Sequence, residues 1–135
     1  MNDNTQTIMT MWDALNREGE VAFERFFAPN YVRHTFAKSF GRDEFARIVE
    51  QRRQGFSNLR TTIHEVVAES DTIAYRWETA GTHNGPYLAI PATGKKVTTL
   101  GITISRFEDG LIVEDWASWN ELSVLHSLGV MPVDF

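Results

Sequence analysis

Acids, rings and an amide crowd one stretch of the chain: Glu114-Asp115-Trp116, then Ser118-Trp119-Asn120. In an extended segment side chains alternate, so Glu114, Trp116 and Ser118 share one face and Val113, Asp115, Ala117 and Trp119 the other. The second face surrounds its carboxylate with apolar groups, which raises a carboxyl pKa and makes a useful general acid or base. Asp115 is therefore the leading acid/base candidate, with a surface or interface ion pair as its alternative role. A β-bulge nearby would exchange the faces and promote Glu114. Asn120 stands where a strand stops and a helix starts. It suits both an N-cap and a cavity group that orients a carbonyl or a water.

Arg106 shares its face with Leu100, Ile102 and Ile104, which reads as inward, and there it would need a carboxylate partner or an anionic substrate group. Arg76 with Glu78 reads as a pair on the sheet surface. His34, after Tyr31-Val32-Arg33, carries the side chain suited to proton transfer near neutral pH, or is held structurally by backbone. His83, in Gly81-Thr82-His83, is either a turn residue or a ligand contact. Trp12, Trp77, Trp116 and Trp119 either fill the core or line a cavity for a flat, largely apolar molecule. The four histidines and the absence of Cys give no metal-ligand spacing, so no metal site is expected. GTHNG (81–85) and ATGKK (92–96) lack the spacing and the strand–loop–helix context of phosphate loops.

Composition bounds these options. At 135 residues the chain favours one domain, spanning 1–135. A net charge of −5 argues against nucleic acid or an anionic membrane surface as a partner. Without Cys there is no disulfide framework and no thiolate nucleophile, which suits a reducing, cytoplasmic setting. The polar start MNDNTQT shows no signal peptide, and no apolar run approaches a transmembrane helix.

The elements that must position these groups change period partway along. Ile8, Met11, Trp12 and Leu15 mark one helix face, with Asn4 or Thr5 as N-cap and Gly19 as a stop. A short helix over 20–27 buries Val21 or Phe23 with Phe26 and Phe27, and Pro29 ends it. Tyr31 to Thr35 is a short extended piece. A third helix runs from Arg42 to Gln54 with Phe45, Ile48 and Val49 inward, and its basic end, Arg52-Arg53, reads as solvated. After Gly55 the period becomes two: Leu59–Glu69, a Ser70-Asp71 turn, Thr72–His83, a Pro/Gly loop, then Lys96–Glu108 and Leu111–Trp119 joined by Asp109-Gly110. Residues 120–128 read as a helix, with Gly129 as its C′ residue and Pro132 beyond. Helices followed by long strands predict an α+β fold, an antiparallel sheet packed on helices. Ile8, Trp12, Leu15, Phe27, Phe45, Ile48 and Val49 are the expected core.

The ordered set FFAPNYVRH (26–34), Gly41-Arg42-Asp43, GTHNG, IPATGKKV (90–97), RFEDGLIVEDW (106–116) and Leu128-Gly129 resembles the SnoaL-like polyketide cyclases of the nuclear-transport-factor-2-like superfamily. The resemblance implies a cone: a strongly curved, mostly antiparallel sheet wrapped around about three N-terminal helices, with a short C-terminal helix and a cavity in the open end. It implies a homodimer through the outer sheet face and no metal or organic cofactor. It also implies a substrate such as a polyketide, and acid/base cyclase, isomerase or hydratase chemistry on it. The family's key Asp falls at Asn120, which as an amide cannot act as a base. The base is then expected elsewhere, at Asp115 or His34, with Arg106 as an anchor and Asn120, Trp116, Trp119, Trp12 and His83 as substrate contacts. Two alternatives stand beside this reading: a non-catalytic small-ligand or dimerisation module, and an epoxide-hydrolase-like enzyme.

Overall fold

The computed structural model describes residues 3–129. The chain runs α1 (Asp3–Glu18), a 3-10 turn (Gly19–Ala22), α2 (Phe23–Phe26), β1 (Phe27–His34), β2 (Ser39–Gly41), α3 (Arg42–Gly55), β3 (Phe56–Glu69), β4 (Thr72–His83), β5 (Lys96–Glu108), β6 (Leu111–Trp119) and α4 (Glu121–Ser127). One sheet holds all six strands in the order β2-β1-β6-β5-β4-β3. The β1–β6 pair is parallel and the other pairs are antiparallel.

Register breaks in β3 (Ser57/Arg60, Ile63/Glu65) and between β5 and β6 (Arg106/Phe107) bend the sheet around the helices. The β5–β6 hairpin turns on Asp109 (φ 51) and Gly110 (φ 80), the two positive φ angles that a tight two-residue hairpin requires. Helix α1 buries Ile8, Met11, Ala14 and Leu15. Its end is fastened twice. Asn16 exchanges two hydrogen bonds of 2.8 Å with the Thr61 backbone, and Arg53 Nη1 donates to the Leu15 carbonyl at 3.0 Å. The main core joins these residues to Phe23, Phe27, Tyr31, Phe45, Ile73, Tyr75, Phe107 and Ile112. A smaller cluster of Phe56, Val97, Val124 and Leu128, with Leu59, Tyr87 and Ile90 against it, packs α4 and the 84–95 loop onto the sheet.

Several sequence expectations need correction. Helix α1 starts at Asp3, ahead of Asn4 and Thr5. The second helix stops at Phe26, and Pro29 lies inside β1, where the register with β6 shifts and no ladder N–H is needed. Trp12 and Val49 pack against the core half-buried, and Ile48 is half-buried outside it. Strand β2 carried no alternation to reveal it. Pro132 and the Val21 side chain lie outside the described residues. Among the described residues no helix is long and apolar enough to cross a membrane.

Candidate functional site

Strand β6 alternates as its sequence demands. Val113, Asp115 and Ala117 are buried, and Trp116 and Ser118 are exposed. Asp115 is 1% exposed and its carboxylate is saturated with donors. Tyr31 Oη donates to Oδ2 at 2.6 Å, Arg33 Nη1 to the same oxygen at 3.2 Å, and the Ser105 hydroxyl to Oδ1. Burial pushes the Asp115 carboxyl up from its ordinary value, while the Arg33 charge and the hydrogen bonds from Ser105 and Tyr31 oppose that rise. Burial likewise pushes the Tyr31 phenol up, and the Asp115 charge adds to it. The Arg33 guanidinium lies 4.1 Å from the centre of the Phe45 ring.

Above this network the cone encloses a cavity in two lobes. The α4 lobe, about 70 Å3, is bounded by Phe56, Leu59, Trp77, Tyr87, Trp119 and Val124, with Arg33, Arg52 and Glu121 among its polar walls. The α1 lobe, about 60 Å3, lies between Trp12, Leu15, Phe45 and Val49 on the helix side and Thr61, Trp77 and Thr79 on the sheet. Arg33, Arg52, Leu59, Trp77 and Thr79 line both lobes and form the seam between them. Each volume has room for several water molecules. The Trp77 indole lies against the backbone of Gly101, where an added Cβ would fall 2.1 Å from the ring, and its Nε1 donates to Thr103 Oγ1 at 2.9 Å.

At the α4 end, Trp119 Nε1 donates to Glu121 Oε2 at 2.6 Å, and Tyr87 Oη reaches Oε1 at 3.5 Å. The Arg52 guanidinium sits 5.6 Å from the Trp119 ring centre. Burial pushes Arg52 down from its ordinary value, and the Tyr87 phenol opposes that. Tyr87 belongs to a turn closed by paired backbone bonds with Ile90, whose central residues Leu88 (φ 50) and Ala89 (φ 62) are left-handed.

The sequence candidates separate into distinct places. Trp12, Trp77 and Trp119 line the cavity. Asp115 is on the inner face but behind Arg33 and outside the lining. His83 is fully buried at the end of β4, with Nδ1 accepting from the Thr93 N–H at 3.2 Å, and it too lies outside the lining. Asn120 is exposed and caps α4, its Oδ1 accepting from Ser123 N at 3.4 Å.

The inward reading of Arg106 is corrected. Its whole row, Leu100, Ile102 and Ile104 included, faces out of the cone, and Arg106 pairs with Glu108 at 3.0 Å and Glu114 at 3.1 Å. His34 is on the same outer face, 2.6 Å from Glu114 Oε2, with its ring stacked on Trp116. Trp116 is 42% exposed there. Arg76 pairs with Glu65, and Glu78 with His64 rather than with Arg76. Arg52 and Arg53 are not a solvated helix end, since both line the cavity.

Arg33, Tyr87 and Glu121 are cavity groups that sequence reasoning passed over, and Arg52 is one that it placed in solvent. A signal existed for two of them. Arg33 follows Tyr31 at strand spacing, and Arg52 continues Phe45 and Val49 at i+7 and i+3.

A small curved sheet with a lined interior and a buried ion pair at its base defines a cone-shaped α+β protein with an internal cavity. A family profile described as SnoaL-like polyketide cyclase matches residues 6–128, and the chain belongs to that family. AclR of Streptomyces galilaeus, provisionally named a hydroxylase, superposes with a TM-score of 0.90 at 24% identity, over 98% of this chain and 85% of that one. IdmH of Streptomyces antibioticus, provisionally named a polyketide cyclase, gives 0.84 at 24% identity over 96% and 100%. TsrD of Streptomyces laurentii gives 0.85 at 25% identity over 97% and 98%. No curated protein sequence matches the chain significantly.

Proposed function

We propose that the chain is a small-molecule enzyme that moves a proton on an apolar, oxygenated substrate, with Glu121 as the acid/base group. The observation that carries this reading is the α4 lobe, which sets one carboxylate, Glu121, among apolar walls with Arg52 and Tyr87 as companions. A carboxylate there can take a proton from a carbon beside a carbonyl. The C–H electron pair forms a C=C bond as the carbonyl π pair moves onto oxygen, where the Arg52 guanidinium and the Tyr87 hydroxyl stabilise the enolate. Return of the proton to another atom isomerises the substrate. Attack of the enolate carbon on a second carbonyl closes a ring and leaves an alkoxide, which takes the proton back from the Glu121 carboxyl. Asp115 fits a positioning role in this scheme, because its oxygens already accept from Tyr31, Arg33 and Ser105.

The test uses 2-tetralone, a flat apolar ketone, in D2O. NMR should show deuterium entering its α positions faster with protein than in buffer alone. Binding of the ketone without any acceleration would leave a ligand-binding module and end the enzymatic reading.

The reading includes a homodimer through the outer face. Leu100 (60% exposed), Ile102, Ile104 and Trp116 form an apolar centre there, and Arg76–Glu65, His34–Glu114 and Arg106–Glu108 form a charged rim. A two-fold contact sets this centre against itself. Light scattering at micromolar concentration should report about twice the 15.4 kDa chain mass, and Ile102→Lys should return it to one chain. A wild-type particle of one chain mass would refute the dimer.

A further inference from the structure

We infer that the substrate carries a carboxylate, and that the α1 lobe binds it at Arg33. The inference rests on the cavity being the substrate site. Charge is distributed unevenly between the lobes. Among the described residues three arginines, Arg33, Arg52 and Arg53, line the α1 lobe and no carboxylate does, in a chain whose net charge is −5. Arg53 is committed through Nη1 to the Leu15 and Asn16 carbonyls at 3.0 and 3.3 Å. Arg33 is not so fully used.

Among the described residues, its hydrogen bonds all leave from Nη1, to Tyr31 and Asp115. Among those residues the Nη2 and Nε donors meet no acceptor, and they are not among the buried polar atoms sealed off without a partner. The residue is 5% exposed, so what these atoms touch is the cavity it lines. The Nε–Nη2 edge of a guanidinium matches the two oxygens of a carboxylate. Asp115 holds the opposite side, and the Phe45 ring, 4.1 Å away, fixes the plane. Thr79, at the same seam, has its hydroxyl 2.7 Å from that of Thr61.

A substrate anchored this way would reach from the seam into the α4 lobe, toward Glu121. The anchor sets which carbon meets the base, so it governs position as well as affinity.

The experiment compares 2-naphthoate with methyl 2-naphthoate by calorimetry. The two probes share the apolar body and differ in charge. A charged hydrogen-bonded contact predicts that the acid binds at least about tenfold tighter than the ester. Arg33→Gln, checked for fold by circular dichroism, should bring the acid to the ester's level and leave the ester unchanged. The wild-type comparison stands even where that variant fails to fold. Equal binding of acid and ester would overturn the carboxylate anchor and leave the proton-transfer reading in place. Binding of neither would overturn the anchor, and exchange in 2-tetralone would then decide the reaction on its own. Acid–ester discrimination without deuterium exchange in 2-tetralone would keep the anchor and remove only the reaction.

Discussion

Glu121→Gln should slow α-proton exchange in 2-tetralone by about 10²–10⁴-fold while leaving its affinity nearly unchanged, the range expected when a positioned proton acceptor is removed. The amide matches the carboxylate in shape. Its oxygen can still accept from Trp119 Nε1, which now donates to Glu121 Oε2 at 2.6 Å, so the α4 end should hold together. What disappears is the capacity to take a proton, since an amide is not a base near neutral pH. The loss should therefore appear in kcat and not in KM. Exchange by NMR and affinity by calorimetry on the same preparation separate the two. Unchanged exchange in the variant would move the base away from Glu121. The companion variant Asp115→Asn then asks whether the buried acid has any direct part.

Asp115→Ala should cost about 3–5 kcal/mol of stability, the range for breaking a buried ion pair by removing one partner. The carboxylate serves three donors from two other strands, Tyr31 and Arg33 on β1 and Ser105 on β5. Its removal leaves a guanidinium that is 5% exposed without its counter-charge, and two hydroxyls without their acceptor. Urea unfolding followed by circular dichroism measures the difference. The double variant Arg33→Met/Asp115→Leu should recover most of the loss, because the penalty lies in the orphaned charge and not in a missing attraction. A loss below about 1 kcal/mol in Asp115→Ala would contradict the saturated network as the brace of this region.

The strands were legible because their alternation is long. Thr72–His83, Lys96–Glu108 and Leu111–Trp119 coincide with β4, β5 and β6. The direction of β5 was not legible, for a physical reason. One face carries Leu100, Ile102 and Ile104 and the other Thr99, Gly101, Thr103 and Ser105, and the rule that apolar residues turn inward selects the first. The fold selects the second. Gly101 admits the Trp77 ring, Thr103 receives its N–H, and Ser105 serves Asp115. The apolar face is left outside. That inversion carried Arg106, His34 and Trp116 away from the cavity. Arg33 escaped notice because a charged residue at strand spacing beside Tyr31 does not declare that its partner lies 82 positions away in sequence. Glu121 escaped because an acid in the first turn of a helix already has a local explanation in the helix dipole.

The parallel contact of β1 with β6 carries a consequence for how the chain assembles. Strands β3, β4, β5 and β6 meet their sequence neighbours as antiparallel partners, across connections no longer than the 84–95 loop. Strand β1 must wait for β6, and Tyr31 finds Asp115 across 84 positions. Long-range pairing of this kind is slow, because chain entropy is lost before the contact repays it. During synthesis the helices that precede β1, and β1 itself, are made before β6 and stay unlatched until β6 is available to pair. The buried carboxylate is then a late-arriving clasp, and the cone exists only once it shuts.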